Sequence, residues 1–183
     1  MRAFLAVDLD ESLQDKVLEV QDRLNEANAA VKFVEKENLH FTCKFFGEIS
    51  EVKRDKISEI IKEKITKYDS FPINIKGLGV FPHLGYIRVV WLGLEDSENF
   101  SRILMDFDEE FNKLGYKKER SYTPHLTIGR VKGKKNKEAL VAKIKELEES
   151  EIGSMKVDKL ILKKSELTPE GPIYTMVEEF KLK

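Results

Sequence analysis

The order strand, amphipathic helix, His-x-Thr occurs twice along these 183 residues, and the two histidines, His40 and His125, stand 85 positions apart. A recurrence on that scale is too long for a solenoid repeat and points to a fold made of two like units. In the first copy Ala3-Phe4-Leu5-Ala6-Val7 reads as an apolar strand, and Leu13, Val17, Val20, Leu24 and Ala27 then keep the three-four spacing of one helix face. In the second, Val89-Val90-Trp91-Leu92 precedes a helix carrying Phe100, Ile103, Phe107, Phe111 and Leu114 on one stripe. Each His-x-Thr is followed by a further helix, marked by Ile57, Ile60, Ile61 and Ile65 in one copy and by Leu140, Ile144 and Leu147 in the other. Strands are expected next at about 71 to 79 and 155 to 163, with a last one from Ile173 to Leu182. The pattern predicts a single α+β domain over 1–183, built as a strand-helix-strand-helix-strand unit repeated over approximately 1–85 and 86–183. The two motif strands should lie side by side across a pseudo-two-fold axis.

The chemistry follows from the strands' period of two. In Leu39-His40-Phe41-Thr42 and Pro124-His125-Leu126-Thr127, the histidine and threonine project from the same face, so each tripeptide presents an imidazole beside a hydroxyl. An unperturbed imidazole titrates near pH 6.5, so one copy can act neutral while the other acts protonated. A phosphodiester displacement needs that division, and Thr42 and Thr127 can donate to its non-bridging oxygens. Strand propensity alone also favours threonine. Gly129 leaves room for a ligand or permits a bulge, and such a bulge would swing Arg130 from the opposite face toward the phosphate. Lys44 is in phase with His40 and Thr42. Phe45 and Phe46, ahead of Gly47, are candidates for stacking a nucleobase or for the core. Lys132, Lys134, Lys135 and Lys137 suit an RNA backbone, or simply a solvated helix start.

Other sites fail on spacing. His40 and Cys43 imitate a zinc pair, yet an offset of three puts them on opposite strand faces, and nothing completes four ligands, so no metal is expected. Gly129 to Lys134 lacks the phosphate-loop pattern, Gly77-Leu78-Gly79 meets Pro82 where a dinucleotide fingerprint needs glycine, and no Gly-x-Ser-x-Gly elbow occurs. His83, the third histidine, falls in a turn-rich stretch without a counterpart in the repeat.

The single cysteine fits a reducing, cytoplasmic setting, and no apolar run reaches the roughly 18 residues of a membrane span. Lys+Arg 32 and Asp+Glu 33 nearly cancel, so any affinity for a polyanion must be local. Charged residues at 36% resemble hyperthermophile usage, which an ordinary charged surface explains nearly as well.

Through these residues the chain resembles the two-histidine phosphoesterases, and within them the RNA 2′,3′-cyclic phosphodiesterases, also called 2′-5′ RNA ligases. The likeness runs from Arg2-Ala3-Phe4-Leu5-Ala6-Val7 through Asn38-Leu39-His40-Phe41-Thr42 and Phe45-Phe46-Gly47-Glu48. It continues in Arg88-Val89-Val90-Trp91-Leu92-Gly93 and in Tyr122-Thr123-Pro124-His125-Leu126-Thr127-Ile128-Gly129-Arg130. The resemblance implies a bilobal α+β fold, with two antiparallel sheets lining a central cleft and helices outside. It implies hydrolysis of RNA 2′,3′-cyclic phosphate ends, tRNA-derived ends among them, to 2′-phosphates, and in some members joining to a 5′-hydroxyl without ATP. No cofactor is required, and a monomer is expected. By similarity His40 and His125 are catalytic, Thr42, Thr127 and Arg130 hold phosphate, and Phe45 stacks the terminal base. His125 is read as the base and His40 as the acid. Two alternatives stay open: a non-catalytic RNA-binding module, against which a titrating pair argues, and an enzyme of the same chemistry acting on small cyclic nucleotides or 2′-5′ oligonucleotides.

Overall fold

The computed structural model describes residues 1–183. In chain order the elements are β1 (Arg2–Asp8), α1 (Glu11–Asn25), β2 (Val31–Phe33), β3 (His40–Glu48), α2 (Glu51–Ile65), β4 (Phe71–His83), β5 (Tyr86–Leu94), α3 (Glu98–Lys113), β6 (Leu126–Val131), α4 (Lys137–Glu146), β7 (Glu151–Val157), β8 (Lys159–Thr168) and β9 (Gly171–Lys181). The fold is α+β, as expected. Two strands differ from the sequence reading. The segment expected at 155 to 163 is two strands, because the chain breaks at Asp158 and passes from β4, against which β7 pairs, to β1, against which β8 pairs. The strand from Phe71 runs on to His83, which pairs with Tyr86, so this histidine closes a hairpin instead of sitting in a loop.

All strand pairs are antiparallel, in the order β7-β4-β5-β6-β3-β1-β8-β9, with β2 added on β6. The path is one nine-stranded sheet, but its two halves meet through a single residue pair, Phe41 opposite Leu126. Both side chains are wholly buried. Because strand side chains alternate, burying these two turns their neighbours His40, Thr42, His125 and Thr127 to the other face, along one seam. Expected as two sheets lining a cleft, the strands form two half-sheets hinged on that pair.

The helices fill the face away from the seam. The α1 stripe Leu13, Val17, Val20 and Leu24 and the α3 stripe Phe100, Ile103, Phe107 and Phe111 are buried. Their packing crosses the sequence halves: α1 lies on α4, β6 and β7, whereas α2 and α3 pair with each other and reach β9 and β3. The boundary near residue 85 falls in the β4–β5 turn, and β4 lies between β5 and β7, so the half-sheets are interlocked and do not correspond to the two sequence halves. None of the helices is long and apolar enough to cross a membrane.

Candidate active site

Five of the predicted residues converge. His40, Thr42, His125, Thr127 and Arg130 line one cavity of about 120 Å³, whose wall also includes Asn38, Tyr174, Lys32 and Glu35. Each ring is oriented by its own backbone. His40 Nδ1 lies 2.6 Å from the Asn38 carbonyl and His125 Nδ1 lies 3.3 Å from the Thr123 carbonyl. A carbonyl only accepts, so Nδ1 carries the hydrogen in both rings and Nε2 is the nitrogen left to exchange a proton. His40 Nε2 stands 3.0 Å from Thr42 Oγ1, which donates to the neutral ring and accepts from the protonated one, freeing the hydroxyl hydrogen for another acceptor. Aromatic rings hold the imidazoles from the sides: Phe4 at 5.1 Å and Tyr174 at 5.4 Å from His40, Phe81 at 5.0 Å and Trp91 at 6.2 Å from His125.

Desolvation by burial lowers both imidazoles below their ordinary value of 6.5. For His40 the Asn38 carbonyl and Asp8 oppose this, while Lys163 and Arg130 add to it. At His125 the Thr123 carbonyl opposes it and Arg130 adds to it. A phosphate entering the cavity adds negative charge beside both imidazoles and opposes that lowering.

Bulges decide what stands beside each His-x-Thr. On β3, Leu5 faces Lys44 and Ala6 faces Thr42, so Cys43 is an extra residue and the alternation slips by one. Lys44, expected beside His40 and Thr42, is therefore turned to the helix side, and Phe45 moves onto the cleft face. On β6, Val90 faces Gly129 and Trp91 faces Thr127, so the extra residue is Ile128 and not Gly129. The consequence anticipated for Arg130 holds: it joins the His125 face. Gly129 serves packing, since a Cβ there would come within 3.0 Å of the Val31 side chain.

Each bulge has buried polar support. The Ile128 carbonyl accepts from Gln21 Nε2 at 2.9 Å and from the Val34 N–H at 3.0 Å, while the same Gln21 amide donates to the Val34 carbonyl. Lys44 Nζ donates to Asp108 at 2.6 Å and to the Lys117 carbonyl at 2.7 Å, fastening the segment that leads to His125. Sequence reasoning missed Gln21, Asp108, Phe4 and Tyr174 as parts of the site. A glutamine on the otherwise apolar α1 face was the available signal for the first; Tyr174, on a remote strand, had none.

Phe45 sits outside the phosphate cavity, in a wider hollow of about 660 Å³ that also holds Phe4, His40, Thr42, Arg130 and Tyr174. It is 46% exposed, and the Arg2 guanidinium lies 4.9 Å from its ring centre. Phe46 is core, packed edge-on to Phe111 at 4.9 Å. Lys132, Lys134, Lys135 and Lys137 line a groove with Tyr86 and Arg88 that contains no acidic side chain, and Lys132 also borders the Phe45 hollow. No three His, Cys, Asp or Glu side chains are grouped to hold a metal ion, and burial pushes the Cys43 thiol far up.

A bilobal antiparallel sheet with two His-x-Thr strands meeting at its seam defines a two-histidine phosphoesterase. The chain belongs to the 2′-5′ RNA ligase superfamily, whose family model matches residues 9–168. It is 54% identical to the RNA 2′,3′-cyclic phosphodiesterase of Methanothermobacter thermautotrophicus, over 100% of this chain and 99% of that one. It is 40% identical to the protein of the same name from Methanocaldococcus jannaschii, over 98% and 100%. Among solved structures, TT0787 of Thermus thermophilus superposes with a TM-score of 0.84 at 26% identity, covering 100% of this chain and 98% of that one. E. coli LigT complexed with 3′-AMP shares the fold, with a TM-score of 0.79 at 22% identity over 99% and 97% of the two chains.

Proposed function

We propose that this chain hydrolyses RNA 2′,3′-cyclic phosphate ends to 2′-phosphates by metal-independent acid–base catalysis, and joins such ends to 5′-hydroxyls when an acceptor replaces water. The observation that carries the reading is the cavity shared by the two His-x-Thr pairs, each imidazole with Nδ1 tied to a carbonyl and Nε2 left for exchange. The activity named for the full-length relatives supports it.

In this mechanism the cyclic phosphate occupies the cavity, with its non-bridging oxygens taking hydrogen bonds from Thr42, Thr127 and the Arg130 guanidinium. His125 Nε2 removes the proton from water as the oxygen attacks phosphorus. The P–O3′ bond breaks on the opposite side, and His40 Nε2 delivers a proton to the departing oxygen. The ring strain of the cyclic diester supplies the activation that a nucleotide would otherwise bring. The terminal base lies on Phe45, and the strand behind it follows the cationic groove beyond Lys132, which favours an RNA over a free cyclic nucleotide. We read the enzyme as a monomer working in the cytoplasm, where the free thiol of Cys43 stays reduced.

The test is a panel of 2′,3′-cyclic-phosphate oligoribonucleotides and mononucleotides offered with excess EDTA, products being identified by mass and by phosphatase sensitivity. Turnover to the 2′-phosphate should persist; loss of activity restored by a divalent ion would refute the metal-free mechanism.

Two further expectations come from the geometry. Because both imidazoles are lowered in the free enzyme, the bell-shaped profile of kcat/KM should have its maximum on the acid side of pH 6.5. Its limbs belong to the coupled pair, and a profile flat from about pH 5 to 8 would remove the histidines from acid–base work. Phe45→Ala should weaken capture of base-bearing substrates by roughly 1 to 3 kcal/mol. A cyclic phosphate without a base should be nearly indifferent to it, and equal losses on both would indicate a packing defect.

A further inference from the structure

We propose that the far side of His125 holds a second nucleoside subsite, which seats the nucleoside whose 5′-hydroxyl attacks the cyclic phosphate when two RNA ends are joined; this rests on the joining branch of the function above. A hollow of about 560 Å³ lies there, lined by Phe81, Trp91, Lys117, Arg120 and Thr123 among others, and His125 is the one residue it shares with the phosphate cavity. The Phe45 hollow, in contrast, shares His40, Thr42, Arg130 and Tyr174 with that cavity. The phosphate therefore sits between two aromatic flanks, one beyond each histidine.

The His125 flank has the construction of a platform. A Cβ on Gly79 would fall 2.3 Å from the Trp91 ring, so glycine there lets the indole lie flat against β4. Phe81 packs beside the indole at 5.1 Å, presents itself at right angles to the His125 ring, and is 42% exposed. Lys117, Lys118 and Arg120 place cationic side chains at the rim, against one carboxylate, Glu119, which pairs with Lys44.

In-line displacement assigns the occupant. The departing 3′-oxygen stays with the terminal nucleoside, on the His40 and Phe45 side. The attacking oxygen must approach from the opposite side, beside His125, and its nucleoside then extends away from phosphorus onto Phe81 and Trp91. The 5′-oxygen bonds to phosphorus and gives its proton to His125, P–O3′ breaks, and His40 protonates the 3′-oxygen, leaving a 2′-5′ diester and a free 3′-hydroxyl. Hydrolysis runs through the same positions with water and has no use for an aromatic shelf. The 3′-phosphodiester of the acceptor falls within reach of Lys117 and Arg120.

Trp91 is the single tryptophan of the chain, so its fluorescence reports this flank alone. Titration of the wild-type protein, its central cavity filled with inorganic phosphate, with a 5′-hydroxyl dinucleotide should give saturable quenching. Phe81→Ala should weaken that binding roughly tenfold, and Arg120→Glu, on an exposed segment, should weaken it through the acceptor's phosphate. Absence of quenching overturns the proposal. So does equal quenching by 2′-AMP or by a trinucleotide ending in a 2′-phosphate, which would put the terminal nucleoside or its upstream neighbour on the shelf. Hydrolysis and joining, assayed on the same preparation, test the catalytic reading separately: a protein that joins ends without quenching loses only the subsite.

Discussion

Alanine in place of His40, or of His125, is expected to lower turnover of a 2′,3′-cyclic phosphate by about 10² to 10⁴, equivalent to roughly 3 to 5 kcal/mol of barrier. Both rings face the cleft and are only partly buried, so the folded state should survive both substitutions. The double variant should be little worse than the poorer single one, because acid and base serve one transition state and their effects do not add. Steady-state kinetics beside a thermal melt check this. A variant with near wild-type turnover would return that histidine to a purely structural role.

The second large effect is on stability. Lys44 and Asp108 are 4% and 2% exposed, and the carboxylate also accepts from the Glu119 N–H at 2.8 Å and from the Tyr122 hydroxyl at 2.7 Å. Desolvation alone would raise the Asp108 carboxyl, but the hydrogen bonds from Lys44, Tyr122 and Glu119 outweigh it and hold the group below the usual carboxylate value. Asp108→Ala leaves the ammonium buried with Glu119 and one carbonyl, and should destabilise the fold by about 3 to 5 kcal/mol. The pair replaced together, Lys44→Met with Asp108→Leu, should recover most of that loss. Denaturant melts of the two variants beside the wild type decide it; an Asp108→Ala protein as stable as wild type would show the pair to be dispensable. A depressed carboxyl stabilises above its unfolded pKa, so the contribution is complete at neutral pH. It fades as pH falls from the ordinary carboxylate range through the lowered value.

The sequence exposes what repeats and hides what interrupts repetition. Two His-x-Thr copies, two helix stripes and the charge balance are periodic or compositional, and they suffice for the fold class and for four of the six residues expected around the phosphate and base, whereas Arg130 and Phe45 reach the cleft through bulges. A bulge adds one residue and inverts every later face, yet nothing local in Thr42-Cys43-Lys44 announces it. Lys44 was therefore assigned to the cleft and instead belongs to an ion pair under it. At Arg130 glycine hinted at an irregularity, and the extra residue was its neighbour Ile128. Gln21 acts from α1 on carbonyls of β6 and of the chain after β2; a polar residue on an apolar face marks it as unusual, but its β6 partner lies 107 residues away and has no local trace. The exchange of β4 and α1 between half-sheets is equally invisible, since periodicity reports which face of an element is apolar and never which sheet receives it.

The matching bulges carry one more meaning. Counting along the cleft face from each histidine, the motif strands read His, Thr, Phe45 on one side and His, Thr, Arg130 on the other. A site with rotational symmetry has no means of telling an entering group from a departing one, and a chiral, directional polymer end would fit it in either sense. The third place breaks the tie: an aromatic ring on one strand and a guanidinium on the other, both bordering one hollow, make the two sides of the seam unlike. Two side chains, each brought to the cleft by a surplus residue just ahead of it in its strand, thus remove the two-fold equivalence that the paired motifs would otherwise have.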